Sequence, residues 1–149
     1  MNVSAQAIVQ DTELQLERYF EAPVERVWQA WTAQPGMMRW IGPEGTDVYE
    51  VEADVQVGGR YSLRMRTPNG EDHRLIGEYR EIVQAEKLVF TWAWHTMPER
   101  ESMVTVEFAA DGAGTLLRLT HQRFVDRETT AAHAAGWEGS MNTLQQSLA

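Results

Sequence analysis

Alternation of apolar and polar residues dominates this chain. It runs through residues 12–20 and through six later segments, and a period of two is typical of strands that bury one face. The later segments are residues 49–57, 61–66, 73–83, 88–94, 102–108 and 115–124. Turn-forming residues such as Gly58-Gly59 and Pro68-Asn69-Gly70 separate several of them. The pattern therefore predicts seven antiparallel strands, with Tyr49 on the same apolar face as Val51.

Helical spacing replaces the alternation after the first strand. Pro23 suits the first turn of a helix, and the residues that follow place Val24, Val27, Trp28 and Trp31 on one face. The sequence Gln34-Pro35-Gly36 ends this helix, and residues 37–41 predict a second short turn or helix.

The end of the chain predicts one long helix. Asp126 is a suitable N-cap, and the helix is expected to run from about residue 127 to 147. Its apolar stripe consists of Ala134, Trp137, Met141, Leu144 and Leu148.

This order of elements predicts an α+β fold, in which a curved antiparallel sheet wraps around the C-terminal helix. The 149 residues correspond to a single domain, residues 1–149, with residues 1–10 as a flexible N-terminal segment. Because a curved sheet does not close completely on one helix, we expect a cavity between them.

Composition narrows the range of partners. With 13 Lys and Arg against 22 Asp and Glu, the formal net charge of −9 argues against nucleic acid. No apolar stretch is long enough for insertion into a membrane, and no signal peptide is recognisable. We therefore expect a cytoplasmic protein. Cysteine is absent, whereas six tryptophans supply unusually many large aromatic surfaces.

The aromatic strand and the C-terminal helix provide the candidate site. Phe90, Trp92 and Trp94 share a face that points towards Trp137 and Met141, and these residues either line a ligand cavity or simply fill the core. Four polar residues on otherwise apolar faces, Arg18, Tyr61, Tyr79 and His121, are candidates for orienting a ligand. Trp40 and Met65 complete the predicted ligand-binding set.

Neither a metal site nor a catalytic motif is recognisable. His73, His95, His121 and His133 lack the spacing of a zinc site, so no metal and no cofactor are expected. No serine lies in a nucleophile-elbow motif, and no catalytic residue is assigned. A Glu–His acid–base pair, with Glu107 or Glu138 beside His121 or His133, remains open, although strand alternation places Glu107 on the outer face.

Four segments together resemble the heat-shock-protein-90 ATPase activator-like domains. They are FEAPVERVWQAWTAQPGMMRWIGPEG, VEADVQVGGRYSLRMR, GEYREIVQAEKLVFTW and HAAGWEGSMNTLQQSL, and they span nearly the whole chain. These domains belong to the START-like helix-grip superfamily, which also contains polyketide cyclases and the birch-pollen allergen. The resemblance implies the helix-grip fold and a hydrophobic cavity under the C-terminal helix. Members often carry paired tryptophans where this chain has Trp40-Ile41.

Three functions follow as hypotheses. The first is binding of an apolar or aromatic small molecule by a carrier or sensor that catalyses no reaction. The second is a cyclase, dehydratase or hydrolase that uses the same cavity, and the third is a module that binds a chaperone. A homodimer is also left open. For binding of a small molecule, we expect a pocket of roughly 300–1,000 Å³. The residues expected to line it are Trp40, Met65, Tyr79, Trp92, Trp137 and Met141.

Overall fold

A computed structural model describes residues 7–42 and 44–148. The expected flexibility of residues 1–6 lies outside the described residues. The strands are β1 (Ile8–Gln10), β2 (Glu13–Phe20), β3 (Asp47–Ala53), β4 (Arg60–Arg66), β5 (Asp72–Val83), β6 (Lys87–Trp94), β7 (Ser102–Asp111) and β8 (Gly114–Gln122). The helices are α1 (Val24–Thr32), α2 (Gln34–Met37) and α3 (Arg127–Ser147).

All eight strands form one antiparallel sheet in the order β1-β2-β8-β7-β6-β5-β4-β3. The α+β class and the sheet around a C-terminal helix are confirmed, but the predicted count of seven strands is one too low. The additional strand is β1, where Ile8 pairs with Gln15 and Gln10 with Glu13. It lies within residues 1–10, the segment predicted to be flexible. The strand was not predicted because three residues are too few to show a clear alternation.

The C-terminal helix has the predicted bounds and the predicted cap. The Asp126 carboxylate accepts a hydrogen bond from the backbone N–H of Thr129 at 2.8 Å, which satisfies one of the free donors at the helix start. The helix buries Ala134, Trp137, Met141 and Leu144 against the concave face of the sheet. Side chains of α3 form hydrogen bonds with Arg18 of β2, His121 of β8 and Trp94 of β6, so the helix lies across several strands of the curved sheet.

One face assignment in β3 is wrong. A β-bulge between Val48 and Glu50 makes Tyr49 an extra residue, which shifts the alternation by one position. Val48 is therefore buried, whereas Tyr49 is exposed and donates a hydrogen bond to Asp72 at 2.6 Å. A regular period of two cannot predict such a bulge.

Candidate ligand-binding site

Two apolar cavities lie between the sheet, α3 and the segment around α2. The inner cavity has a volume of about 30 Å³ and is lined by Trp31, Met37, Trp40, Ile41, Tyr61, Leu63, Leu75, Tyr79, Leu88, Phe90, Trp92 and Trp137. The helix-side cavity has a volume of about 190 Å³ and is lined by Ile41, Gly42, Met65, Trp92, Trp94, Ala132, His133, Gly136, Trp137 and Ser140. The two are adjacent, because Ile41, Trp92 and Trp137 border both.

The predicted volume was too large. Even together, the two cavities fall short of roughly 300 Å³, the lower bound typical of small-molecule sites. The physical reason is that the indole rings occupy the space they were expected to surround. The ring centroids of Trp92 and Trp137 are 5.1 Å apart. The Trp31 ring also stacks on Trp137, with a centroid distance of 6.0 Å.

Most of the predicted site residues border these cavities. Trp40, Tyr61, Tyr79 and Phe90 border the inner one. Met65 and Trp94 border the helix-side one, and Trp92 and Trp137 border both. His121, Met141 and Arg18 are not among the described residues that line either cavity.

Met141 and Arg18 have other surroundings. Met141 is completely buried in the core under α3. The Arg18 guanidinium is 2% exposed, and its Nη1 donates to the side-chain oxygens of Asn142 at 2.7 Å and Gln145 at 3.3 Å. Burial lowers the Arg18 pKa, and the nearby carboxylate of Glu138 opposes this shift. Arg18 therefore joins β2 to α3 instead of facing a cavity.

His121 lies directly behind Trp92 and Trp137, which form the aromatic wall of the cavities. The indole N–H of Trp137 donates to its Nδ1 at 2.9 Å, so the proton of the neutral imidazole is on Nε2. Nε2 then donates to Ser102 Oγ at 2.7 Å, and the Ser102 hydroxyl donates to the carbonyl of Trp92 at 3.2 Å. Burial holds the His121 pKa well below its usual value, which keeps this chain of hydrogen bonds intact at neutral pH.

The Ser102–His121 pair has the residue types of a nucleophile and its base, but its proton arrangement is reversed. A general base must accept the serine proton at the nitrogen that faces the hydroxyl. Here that nitrogen carries the proton, because Trp137 occupies the other one. In this arrangement Ser102 is not activated, and the pair positions Trp137 and Trp92.

His133, which the sequence offered only for the Glu–His pair and not for the ligand-binding set, lines the helix-side cavity. Its Nδ1 donates to the carbonyl of Thr129 at 2.9 Å, and its Nε2 accepts from the indole N–H of Trp94 at 3.1 Å. Burial lowers the His133 pKa, so the neutral form prevails. Both nitrogens are occupied, and His133 fixes the orientation of the Trp94 ring at the helix-side cavity.

Two tyrosines close the inner cavity on the sheet side. The Tyr61 ring lies over Gly77, and its hydroxyl donates to the carbonyl of Thr91 at 2.5 Å. Burial raises the pKa of Tyr61 well above its usual value and that of Tyr79 to about 12, so both phenols stay neutral.

Two indole nitrogens at the cavities have no hydrogen-bond partner within the described part of the chain. They are Nε1 of Trp31 and Nε1 of Trp92. Both side chains are buried, with exposures of 4% and 8%. A buried donor without a partner is uncommon and costs about 1–3 kcal/mol.

The rim of the helix-side cavity is held together by Ser140. Its Oγ donates to the carbonyl of Gly42 at 2.9 Å and accepts from the backbone N–H of Gly42 at 3.0 Å. Gly42 has a φ of 96°, a conformation that favours glycine. The connection between α2 and β3 is thus fastened to the middle of α3.

Sequence reasoning did not include Trp31 of α1 or His133 and Ser140 of α3 in the ligand-binding set. The helical spacing placed Trp31 on a buried face but did not reveal that this face meets Trp137. His133 had no recognisable motif, since its role depends on Trp94, which is distant in sequence.

No helix in the described residues is long and apolar enough to cross a membrane, and no metal-binding cluster is found among those residues.

Comparison with known proteins agrees with this architecture. No curated protein matches the sequence. A structure from Chromobacterium violaceum is 25% identical, with a TM-score of 0.84 over 92% of this chain and 96% of that one. The AHSA1 protein from Silicibacter pomeroyi is 27% identical, with a TM-score of 0.80 over 91% and 96%. An AHSA1-like protein from Aeromonas hydrophila, at 23% identity and a TM-score of 0.76 over 90% of each chain, shares the fold.

The family model described as "Activator of Hsp90 ATPase homolog 1-like protein" matches residues 21–149. This range begins at the end of β2 and includes every residue that lines the two cavities. The chain therefore belongs to the Activator of Hsp90 ATPase homolog 1-like family, within the START-like helix-grip superfamily.

Proposed function

We propose that this protein binds an apolar small molecule in the helix-side cavity and acts as a carrier or sensor. The observation that carries the proposal is an apolar cavity of about 190 Å³, which reaches the surface at the exposed residue Ala132. The inner cavity lies directly behind it, so small rotations of Trp92 and Trp137 would join the two into one larger site. Apolar walls with few polar groups are typical of sites for small hydrophobic ligands.

The contacts inside the site favour binding over catalysis. The imidazole that borders the helix-side cavity, His133, has both nitrogens engaged, and the Ser102–His121 pair lies behind the wall with the wrong proton arrangement. The cyclase, dehydratase or hydrolase alternative needs a free acid or base in the cavity. Glu107, one candidate for such a pair, is exposed on β7.

The chaperone-binding alternative is favoured by the family description alone. An interaction module would be expected to present a contiguous apolar patch. The exposed large apolar residues found within residues 7–42 and 44–148 lie on different elements or connections, and they are Ile8, Met38, Tyr49, Val57, Val83, Met97 and Val125.

Gly136 offers a sharp test of cavity binding. A Cβ built at Gly136 meets no atom within 4 Å, although the residue borders the helix-side cavity. The Cβ of a substituted residue would enter open space, and we expect Gly136→Leu to fill part of the cavity. Replacing a glycine in the middle of α3 also favours the helix, by up to about 1 kcal/mol. We expect the melting temperature to be maintained or raised while ligand binding is lost.

The measurement is native mass spectrometry of freshly purified protein, followed by fluorescence titration with apolar aromatic compounds. Ala135→Leu is the matched control, because Ala135 is exposed on the same helix. It should retain the bound molecule and the wild-type response. Equal binding by the wild-type protein and Gly136→Leu would place the ligand elsewhere, and no binding by either protein would leave the proposal without support.

A further inference from the structure

The indole N–H of Trp92, which has no hydrogen-bond partner among the described residues, indicates the chemical class of the ligand. Trp92 borders both cavities, and its Nε1 lacks a hydrogen-bond partner within the described residues. Nε1 is itself buried in this conformation, so a ligand reaches it only through the rotation of Trp92 that joins the two cavities. An indole N–H is a donor only, so what it lacks is an acceptor. A ligand that supplied one would remove the penalty of a buried, unpaired donor.

Acceptors on residues around Trp92 already have donors: the His121 and His133 rings lie 5.1 and 6.2 Å from the Trp92 ring, and Thr91 precedes it in β6. Nδ1 of His121 accepts from Trp137, and Nε2 of His133 accepts from Trp94. The backbone carbonyl of Thr91 accepts from Tyr61. The neighbouring aromatic residues are thus hydrogen-bonded in pairs, and Trp92 is left over at the place where the two cavities meet.

The cavities also lack any counter-ion. Among the described residues, those that line the two cavities include no Asp, Glu, Lys or Arg. Burial keeps His133 and Tyr79 neutral, and the buried cation Arg18 is engaged by Asn142 and Gln145. A carboxylate or an ammonium group would therefore be buried without a partner, which costs several kcal/mol.

We infer that the ligand is an uncharged, largely apolar molecule that presents a carbonyl-type oxygen to Nε1 of Trp92. This inference rests on the proposed binding function and specifies its ligand class. Free fatty acids and aromatic carboxylates are excluded from the site by the missing counter-ion, and pure hydrocarbons leave the donor unpaired. Trp31, which borders the inner cavity, carries the second buried indole donor without a partner among the described residues.

Three probes of nearly the same shape test this inference by calorimetric titration. They are 2-acetylnaphthalene, its alkene isostere 2-isopropenylnaphthalene, and 2-naphthoate. Since the alkene is the more hydrophobic of the two neutral probes, a purely apolar site would prefer it. We expect instead that the wild-type protein binds the ketone about fivefold more tightly than the alkene, as one additional buried hydrogen bond allows. The carboxylate should bind at least about tenfold more weakly than the ketone.

Trp92→Phe removes the donor and keeps an aromatic ring. It should reduce the affinity ratio of ketone to alkene to one or below, as expected of a purely apolar site, while alkene binding persists. The matched control is Trp94→Phe, which removes an indole from the same cavity whose N–H is already bonded to His133. That variant should change the affinities for both neutral probes by a similar factor and preserve their ratio.

Nuclear magnetic resonance of the wild-type protein provides a readout that does not depend on a variant's stability. The ketone should shift the indole N–H resonance of Trp92 downfield, and the alkene should not. Alkene binding without a preference for the ketone, or with the preference retained in Trp92→Phe, would overturn the inference and leave the binding function intact. If neither neutral probe binds, the proposed function fails and the inference with it.

Discussion

At the scale of single residues, two buried imidazoles determine the orientation of two cavity tryptophans. His121 accepts the indole N–H of Trp137, and His133 accepts that of Trp94. The ring centroids of the two histidines are 5.6 Å apart. Protonation of either imidazole would put a proton on the nitrogen that accepts the indole N–H, so this hydrogen bond would be lost. It would also bury a positive charge without a partner.

This geometry predicts a dependence of stability on pH. Burial lowers the pKa of both histidines in the folded state, so the unfolded chain binds more protons below about pH 6.5. Their contribution to stability is therefore complete above about pH 6.5 and is lost as the pH falls towards the folded-state pKa values. We expect the melting temperature to decrease by several degrees over this range.

The comparison that isolates the effect uses His133→Gln, which stays neutral at every pH. Its melting temperature should fall less steeply on acidification than that of the wild-type protein. His95→Gln is the control, because His95 is exposed on the outer side of the sheet. Identical pH profiles for the wild-type protein and His133→Gln would contradict the prediction.

At the scale of secondary-structure elements, the close contact between β4, β5 and β6 depends on Gly77. A Cβ at this position would lie 2.1 Å from the carbonyl oxygen of Thr91 and 2.3 Å from the Tyr61 ring. Glycine is needed here for space, since the hydroxyl of Tyr61 reaches across it to β6. The Tyr61 ring in turn forms part of the inner cavity.

Gly77→Ala should therefore destabilise the fold by about 3 kcal/mol or more, because both the backbone and a buried ring must move. Chemical denaturation measures the change. Gly70→Ala serves as the control, since its position has a φ of 86° and open space around the Cβ, so only backbone strain of about 1–2 kcal/mol is expected. Equal losses in the two variants would show that the packing over Gly77 is adaptable.

The elements themselves were largely predictable from sequence. Regular alternation identified the long strands, and the stripe from Ala134 to Leu148 together with Asp126 identified α3. The errors occurred where the pattern is short or irregular. The strand β1 has only three residues, and the bulge at Tyr49 changes which face a residue occupies without changing the composition of the strand.

At the scale of the whole molecule, the candidate site was only partly predictable. Alternation placed Phe90, Trp92 and Trp94 on the inner face, because side-chain direction in a strand is a local property. The volume of the cavity depends on how rings from β6, α1 and α3 pack together, which no local pattern contains. The hydrogen bonds of Trp137 and Trp94 to histidines likewise join residues 16 and 39 positions apart in the chain.

The bonds between Ser140 and Gly42 have a consequence for the rates of ligand exchange. Ile41 and Gly42 form one side of the helix-side cavity, and Gly136 and Ser140 form the other. The two hydrogen bonds of Ser140 tie these sides together at the rim, and we expect them to persist when a ligand is bound. Their loss should speed entry and departure of a ligand by a similar factor, so its residence time shortens while its equilibrium affinity changes little.

Stopped-flow measurement of association and dissociation for Ser140→Ala tests this. We expect both rate constants to rise by about tenfold, since two hydrogen bonds no longer oppose the separation of the rim. Ser147→Ala is the control, because Ser147 bonds only to the Leu144 carbonyl within α3. Unchanged kinetics in Ser140→Ala would mean that ligands enter by another path. A rise of both rate constants by the same factor would show that one serine sets the residence time of a ligand independently of its equilibrium affinity.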